Sequence, residues 1–342
     1  MRRILIYILI ICVSFFIGWE LHSFFQHTSN TTVTKIFTKE KPLDKYTIEN
    51  LSKREPVVAE IKIEETLKKD PKYTSYLFSF KTGGPPGGSP RGEAGEASKK
   101  VTGQLNIPNG VGPFPSVLMI RGYVDKEIYQ TGIGTRKTAE VFAKNGFITI
   151  APDFLGYAGS DPETNNVFEA RFQTYTTVLD LLASLQSIEK WDGKNIFIWA
   201  HSNGGQVALE ILEITAKDYP TTLWAPVSKP FPFSILTYTD EASDSGKYLR
   251  GQLARFEQDY DTDLYSIHKY LNKINTPIQI NQGTADISVP YWWSKEFVKN
   301  LKDLKKEVLL NLYPGADHNL LPFWNQAVAS DLLFFKKHFN ND

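Results

Sequence analysis

The chain of 342 residues contains one cysteine, Cys12, and it sits inside an apolar N-terminal run. A lone cysteine excludes an intramolecular disulfide and any cysteine cluster that could hold a metal. It also excludes a cysteine nucleophile in the body of the chain. Net charge is absent as well, since 38 Lys and Arg balance 38 Asp and Glu. A balanced chain carries no basic footprint, so no nucleic-acid partner is expected. The six histidines are scattered and show no ligand spacing, so neither a metal nor another cofactor is expected. Aromatic residues are plentiful, with 7 Trp and 16 Tyr. They fit a carbohydrate or peptide groove and equally a well-packed core. The length allows one large domain or two small ones.

Arg2-Arg3 precede an almost uninterrupted apolar run, Ile4 to Trp19, extended by Leu21, Phe24 and Phe25. The run is close to the ~20 residues of a membrane span, and its positive end faces the cytoplasm. Residues 1–26 are expected to be an uncleaved anchor in the lipid bilayer, with the body extracytoplasmic. Small residues at a cleavage site are lacking, which weighs against the alternative, a secreted protein freed from a signal peptide. Residues 27–72 are polar and mixed in charge and read as a stalk, with a short helix within Val57 to Lys69.

From residue 73 the pattern is that of one domain. Tyr73 to Lys81 and Val101 to Ile107 alternate like the strands of a hairpin. Between them, residues 83–98 are rich in Gly, Pro and Ser and cannot bury a core. From Val117 onward strands and helices alternate. This implies an α/β fold: a mainly parallel twisted sheet with helices on both faces and an antiparallel hairpin at one edge. The rhythm breaks at residues 226–275, which read as a cap-like excursion. Phe231, Phe233 and Tyr238 within it are expected to shape an apolar pocket, together with Tyr157.

The informative stretch is Asn195-Ile196-Phe197-Ile198-Trp199-Ala200-His201-Ser202-Asn203-Gly204-Gly205. An apolar strand, a serine at a tight turn and a helix start form the context of a nucleophile elbow. Ala200 takes the place of the usual first glycine. A serine hydroxyl is a weak nucleophile and needs a base, an orienting acid and an oxyanion site. Ligands in open α/β sheets bind beyond the carboxyl ends of the strands, so the partners of the serine are expected in the loops that follow them. Asp286 follows the strand Pro277 to Gln282, and His318 follows the strand Val308 to Tyr313. The order Ser, Asp, His matches one of the three familiar serine-hydrolase orders. The expected roles are nucleophile for Ser202, orienting acid for Asp286 and general base for His318. The oxyanion donors are expected to be the backbone N–H groups of Asn203 and Tyr123. His201 is expected to point away from the nucleophile, and Asp317 away from His318.

Together these motifs resemble the α/β-hydrolase superfamily, and specifically the catalytic domain of the prolyl oligopeptidase family. The resemblance spans about Tyr73 to Phe339. It rests on Arg121-Gly122-Tyr123, on the stretch Ala151 to Asp161, on the elbow, on Gly283-Thr284-Ala285-Asp286 and on Gly315-Ala316-Asp317-His318. It implies a serine triad that hydrolyses a peptide bond through an acyl-enzyme, or alternatively a small acyl ester. Arg121 stands where relatives often carry histidine, and the chain lacks the residues for a substrate-filtering β-propeller. Transfer of the acyl group to an acceptor other than water stays open, as does a non-catalytic surface binding role.

Overall fold

The central strands read as unbroken apolar runs because both faces of the sheet are covered. Successive side chains on a strand point to opposite faces. Accordingly Val117 and Met119 enter one apolar cluster, while Leu118 and Ile120 enter another. Phe197 and Trp199 are divided in the same way from Ile198 and Ala200.

The structure, a computed structural model, describes residues 41–83 and 97–339. The expected anchor, the first part of the expected stalk and most of the Gly/Pro-rich insertion lie outside the described residues. Among the described residues no helix is long and apolar enough to cross a membrane.

Three strands open the sheet: β1 (Lys62–Lys69), β2 (Tyr73–Thr82) and β3 (Lys99–Pro108). They pair antiparallel in sequence. Next come β4 (Phe114–Ile120), helix α1 (Arg136–Lys144), β5 (Ile148–Pro152), α2 (Val167–Ser184), β6 (Trp191–His201), α3 (Asn203–Thr215) and β7 (Thr221–Trp224). An irregular stretch carrying α4 (Lys247–Asp259) leads to β8 (Ile278–Gly283), α5 (Tyr291–Asp303), β9 (Val308–Tyr313) and α6 (Trp324–Lys337). The nine strands lie in the order β1-β2-β3-β5-β4-β6-β7-β8-β9. β3 pairs antiparallel with β5, and every pair from β5 to β9 is parallel. Residues of α1 and α6 fill the cluster on one face. Residues of α2, α3, α4 and α5 fill the cluster on the other. This is the expected α/β architecture, with helices on both faces and antiparallel strands at the N-terminal edge.

The strand order fixes where a ligand binds. From β4 the chain steps to β5 on one side, and it later returns to β6 on the other. Connections leaving β4 and β6 therefore diverge, and a crevice opens at their carboxyl ends. Arg121-Gly122-Tyr123 and Ser202 lie there.

Residues 41–72 are not a stalk. Leu43, Tyr46, Ile48 and Leu51 are buried in the larger core cluster, carried on helical turns Asp44–Tyr46 and Ile48–Leu51. Val57 and Ile61 are buried behind them. The strap is fastened to α2 at the fully buried Asp180. Its carboxylate accepts two bonds from Arg54 at 2.7 and 3.0 Å and one from the Val57 N–H at 2.8 Å. The Thr82 hydroxyl and the Gly83 N–H donate to it at 2.8 and 3.0 Å. A buried carboxylate is tolerated only when so fully paired. The expected helix within Val57 to Lys69 is instead the edge strand β1. All eight of its residues are exposed, so it needs no apolar stripe, and its charged residues guard the sheet edge.

The excursion at 226–275 is also more than a cap. Leu253, Phe256, Tyr265 and Ile274 are buried in the same core as α2 and α3.

Candidate active site

Ser202 stands between β6 and α3 with φ 55° and ψ −123°, a region that residues with a Cβ rarely occupy. Its backbone is clamped: its N–H donates to the Trp224 carbonyl at 2.9 Å, and its carbonyl accepts from Gly205 and Val227 at 2.9 and 3.0 Å. The turn works only if helix and strand nearly touch. A Cβ on Gly204 would stand 2.3 Å from the Ile120 carbonyl oxygen. Ala200, fully buried, fits the first glycine position without disturbing the turn.

The loop after β4 lies against the serine. The Cβ position of Gly122 is 2.9 Å from Ser202 Cβ and 3.5 Å from its Oγ. Tyr123 follows Gly122 in this loop, and Asn203 follows Ser202 at the start of α3; both line one cavity. Among the described residues neither N–H has a hydrogen-bond acceptor. Arg121 holds the loop. Its guanidinium donates to the Gly122 carbonyl at 2.9 Å and the Asp153 carbonyl at 3.0 Å. The rings of Tyr157 and Tyr129 cover it at 4.0 and 4.5 Å. Arg121 is thus a buried cation held by two carbonyl oxygens and aromatic faces. Tyr123 itself is exposed, and its hydroxyl donates to Asp125 at 2.7 Å. That bond, with some burial, pushes the phenol up to about 12, so it remains protonated.

Asp286 and His318 come from adjacent strands, and their loops pack tightly. A Cβ on Gly283 would stand 2.3 Å from the Ala316 carbonyl oxygen. His318 Nδ1 and Asp286 Oδ2 are 2.8 Å apart. The Asp286 carboxylate is buried and saturated. Oδ1 accepts from the N–H groups of Ser288 and Val289, both at 2.9 Å, and Oδ2 accepts also from Gln282 Nε2 at 3.1 Å. Burial alone would raise this carboxyl, but the bonds from His318, Val289 and Ser288 outweigh it and hold it below the usual carboxylate range. An ionised Asp286 requires a proton on His318 Nδ1, which leaves Nε2 unprotonated and able to act as base.

His201 reaches the loop that carries the base. Its Nε2 donates to the His318 carbonyl at 3.0 Å, and the two rings lie 4.7 Å apart. The residue before the nucleophile therefore braces the loop of the base. Burial, then the nearby His318, pushes His201 down to about 4, so it is neutral in neutral solution. Gln282 is a second unanticipated support. It donates to Asp286 while its Oε1 accepts from Ser294 at 2.8 Å. Gln279, Asn281 and Gln282, polar residues in an otherwise buried strand, were the sequence signal for such work. Asp317 caps its own loop, accepting from the Asn319 and Leu321 N–H groups at 2.9 Å each.

A cavity of about 600 Å³ reaches Gly122 and Asn203, the neighbours of Ser202, though not Ser202 itself, and Tyr123, Tyr157, Arg171 and Tyr248 are also among its walls. Tyr157 is where the pocket expectation put it, but two residues are not. Phe231 is 3% exposed and locked among Phe168, Phe172 and Phe256, because aromatic rings on α2 and α4 claim it for the core. Phe233 is outside this cavity too: it is half exposed, with its ring 5.9 Å from Trp293. Tyr238 packs beside Trp293. Among the described residues no group of His, Cys, Asp and Glu could hold a metal ion.

Residues 134–342, more than half of the chain, match the prolyl oligopeptidase family. The chain belongs to that family. No curated protein sequence matches it. Solved structures similar to it include acetyl xylan esterase 1 from Thermoanaerobacterium sp. JW/SL YS485, at 12% identity and TM-score 0.61, covering 87% of this chain and 94% of that one. The acetyl xylan esterase from Paenibacillus sp. R4 is 17% identical with TM-score 0.62, covering 88% and 96%. A puromycin-hydrolyzing peptidase of Mycobacterium tuberculosis is 19% identical with TM-score 0.53, covering 82% of this chain and 40% of that one. At these identities the likeness carries the α/β-hydrolase fold alone. A prolyl oligopeptidase family member on this fold is a serine hydrolase, and among the described residues it has one sheet and no propeller.

Proposed function

We propose that the protein cleaves peptide bonds through an acyl-enzyme, with Ser202 as nucleophile, His318 as base and Asp286 as orienting acid. The 2.8 Å bond between His318 Nδ1 and Asp286 Oδ2 carries this reading, because it leaves one imidazole nitrogen to serve the strained serine. Ser202 Oγ bonds to the acyl carbon while its proton passes to His318 Nε2. The carbonyl oxygen becomes an oxyanion held by the Tyr123 and Asn203 N–H groups. Collapse breaks the scissile bond, and His318 returns the proton to the leaving group. Water then attacks the acyl carbon, His318 takes its proton, and the acid leaves as Ser202 regains its hydrogen.

Family membership favours peptides. Ester hydrolysis is the second reading, favoured by the absence of a propeller over the site among the described residues. Matched p-nitrophenyl esters and aminoacyl or prolyl p-nitroanilides separate the two. Comparable kcat/KM for amides and esters is the expected result. An amide deficit of roughly a thousandfold, about 4 kcal/mol of transition-state stabilisation, would make the enzyme an esterase.

We also propose that Ile4 to Trp19 holds the protein at a membrane with its catalytic body extracytoplasmic, on the strength of the apolar run behind Arg2-Arg3. Alkaline carbonate washing of membranes should leave it in the pellet. Recovery in the supernatant rules the anchor out.

A further inference from the structure

Two cations on the cavity wall, Arg121 and Arg171, have no carboxylate within ion-pair distance among the described residues, and only Arg171 lacks a covering of aromatic rings. Arg171 projects from the first turns of α2, and its guanidinium is held by neutral groups. Nη2 donates to Gln206 Oε1 at 2.8 Å and Nη1 to Asn203 Oδ1 at 3.4 Å. Its Nε is buried with no acceptor among the described residues. No carboxylate there lies within ion-pair distance of it. The other charges on this wall are accounted for. Lys126 is ion-paired with Glu163. Arg121 shares the unpartnered Nε, but two carbonyl oxygens bind it and the rings of Tyr157 and Tyr129 cover it, and the Asp153 carboxylate near it accepts from Thr102, Tyr129 and Thr131. Burial raises the Glu210 carboxyl against the pull of Arg171, and neither of its oxygens bonds the guanidinium. Tyr175, also beside Arg171, is kept protonated by burial.

A half-buried guanidinium without an anion is costly, and a ligand carboxylate can match its planar fork with two hydrogen bonds. The position says which end of the substrate supplies that carboxylate. Arg171 touches the side chain of Asn203, whose N–H faces the oxyanion in the reading above. The cavity is lined by Gly122, Tyr123 and Asn203 and by none of Ser202, Asp286 and His318, and its Gly122 wall lies against Ser202. His318 protonates the leaving group, so the cavity away from it receives the acyl part.

We propose that the acyl part of the substrate carries a carboxylate and that Arg171 binds it. This rests on the serine-hydrolase site proposed above. The carboxylate belongs either to an acidic residue on the acyl side of a cleaved peptide bond or to a dicarboxylic half-ester. Arg171 is then a specificity residue.

The test uses the full-length protein and paired substrates. One arm compares p-nitrophenyl hemisuccinate and hemiglutarate with their methyl-capped neutral counterparts. The other compares peptide p-nitroanilides with Glu or Gln before the scissile bond. In the wild type, kcat/KM is expected to favour the carboxylate in at least one arm by roughly 10- to 100-fold, mainly through KM, as charge-assisted hydrogen bonds do. The arm that shows the preference identifies the source. In Arg171→Gln the preference should fall to about one, and Arg171→Lys should keep part of it, since a point charge replaces the fork. Equal rates for charged and neutral substrates in the wild type overturn the proposal. So does an Arg171→Gln protein that slows both alike and keeps the ratio, which would make Arg171 a brace for Asn203. Should Arg171→Gln not fold, the wild-type ratio and Arg171→Lys decide the matter. Fluorophosphonate labelling separates the two levels. Labelling at Ser202 without a charge preference sinks only the role of Arg171. Failure to label or turn over any substrate sinks the hydrolase site and this inference with it.

Discussion

Replacing Ser202 with alanine is expected to abolish covalent labelling by a fluorophosphonate and to lower turnover by ~10⁶-fold. The size follows from the chemistry. Without the hydroxyl there is no acyl-enzyme, and His318 has no proton to take. What remains is the oxyanion pocket acting on a water molecule, which in other triads leaves only a residual rate. The variant should fold normally. Ser202 is held by its backbone, through the Trp224 carbonyl and the Gly205 and Val227 N–H groups, and all three bonds survive the substitution. Labelling and turnover are therefore read against an unchanged melting temperature. A Ser202→Ala protein that still labels would move the nucleophile elsewhere.

Asp286→Asn is expected to cost ~10⁴-fold in kcat, a loss out of proportion to a change of one atom. The two carboxylate oxygens have different partners. Oδ1 accepts from two backbone N–H groups, those of Ser288 and Val289, while Oδ2 faces His318 and Gln282. Backbone donors cannot become acceptors, so the asparagine oxygen must take the Oδ1 place and its NH₂ must face His318. That forces the imidazole proton from Nδ1 to Nε2, which is the nitrogen needed as base. Gln282 offers no relief, because turning its amide would break the bond its Oε1 accepts from Ser294. The measurement is kcat with KM beside it, since the wrong tautomer affects the chemical step more than binding. A loss of only a few fold would show that another acid orients His318.

Much of the fold was legible from local patterns. Strand and helix alternation from Val117 onward depends on apolar periodicity within each segment. The elbow depends on small residues around one turn. Asp286 and His318 were found because loops that follow parallel strands gather at one end of a sheet. Misreadings arose where a residue's role depends on distant parts of the chain. The strap at 41–61 looked polar because few of its residues are apolar. Those few are buried by α2 and α3, and Asp180, far along the chain, fastens them. Phe231 has the composition of a pocket wall, yet Phe168, Phe172 and Phe256 enclose it. Of the neighbours Trp292 and Trp293, one is exposed and one buried, a choice made by the register of α5 on the sheet.

The sequence by itself determined the α/β architecture, the order of the candidate triad and the loops that carry it, because periodicity, turn residues and chain order are local properties. Only the tertiary structure decided that His201 supports the His318 loop, that Gln282 locks Asp286 and that Arg171 reaches the cavity beside Asn203. Those are contacts between side chains on different elements, and their direction is set by packing that no single stretch of sequence encodes.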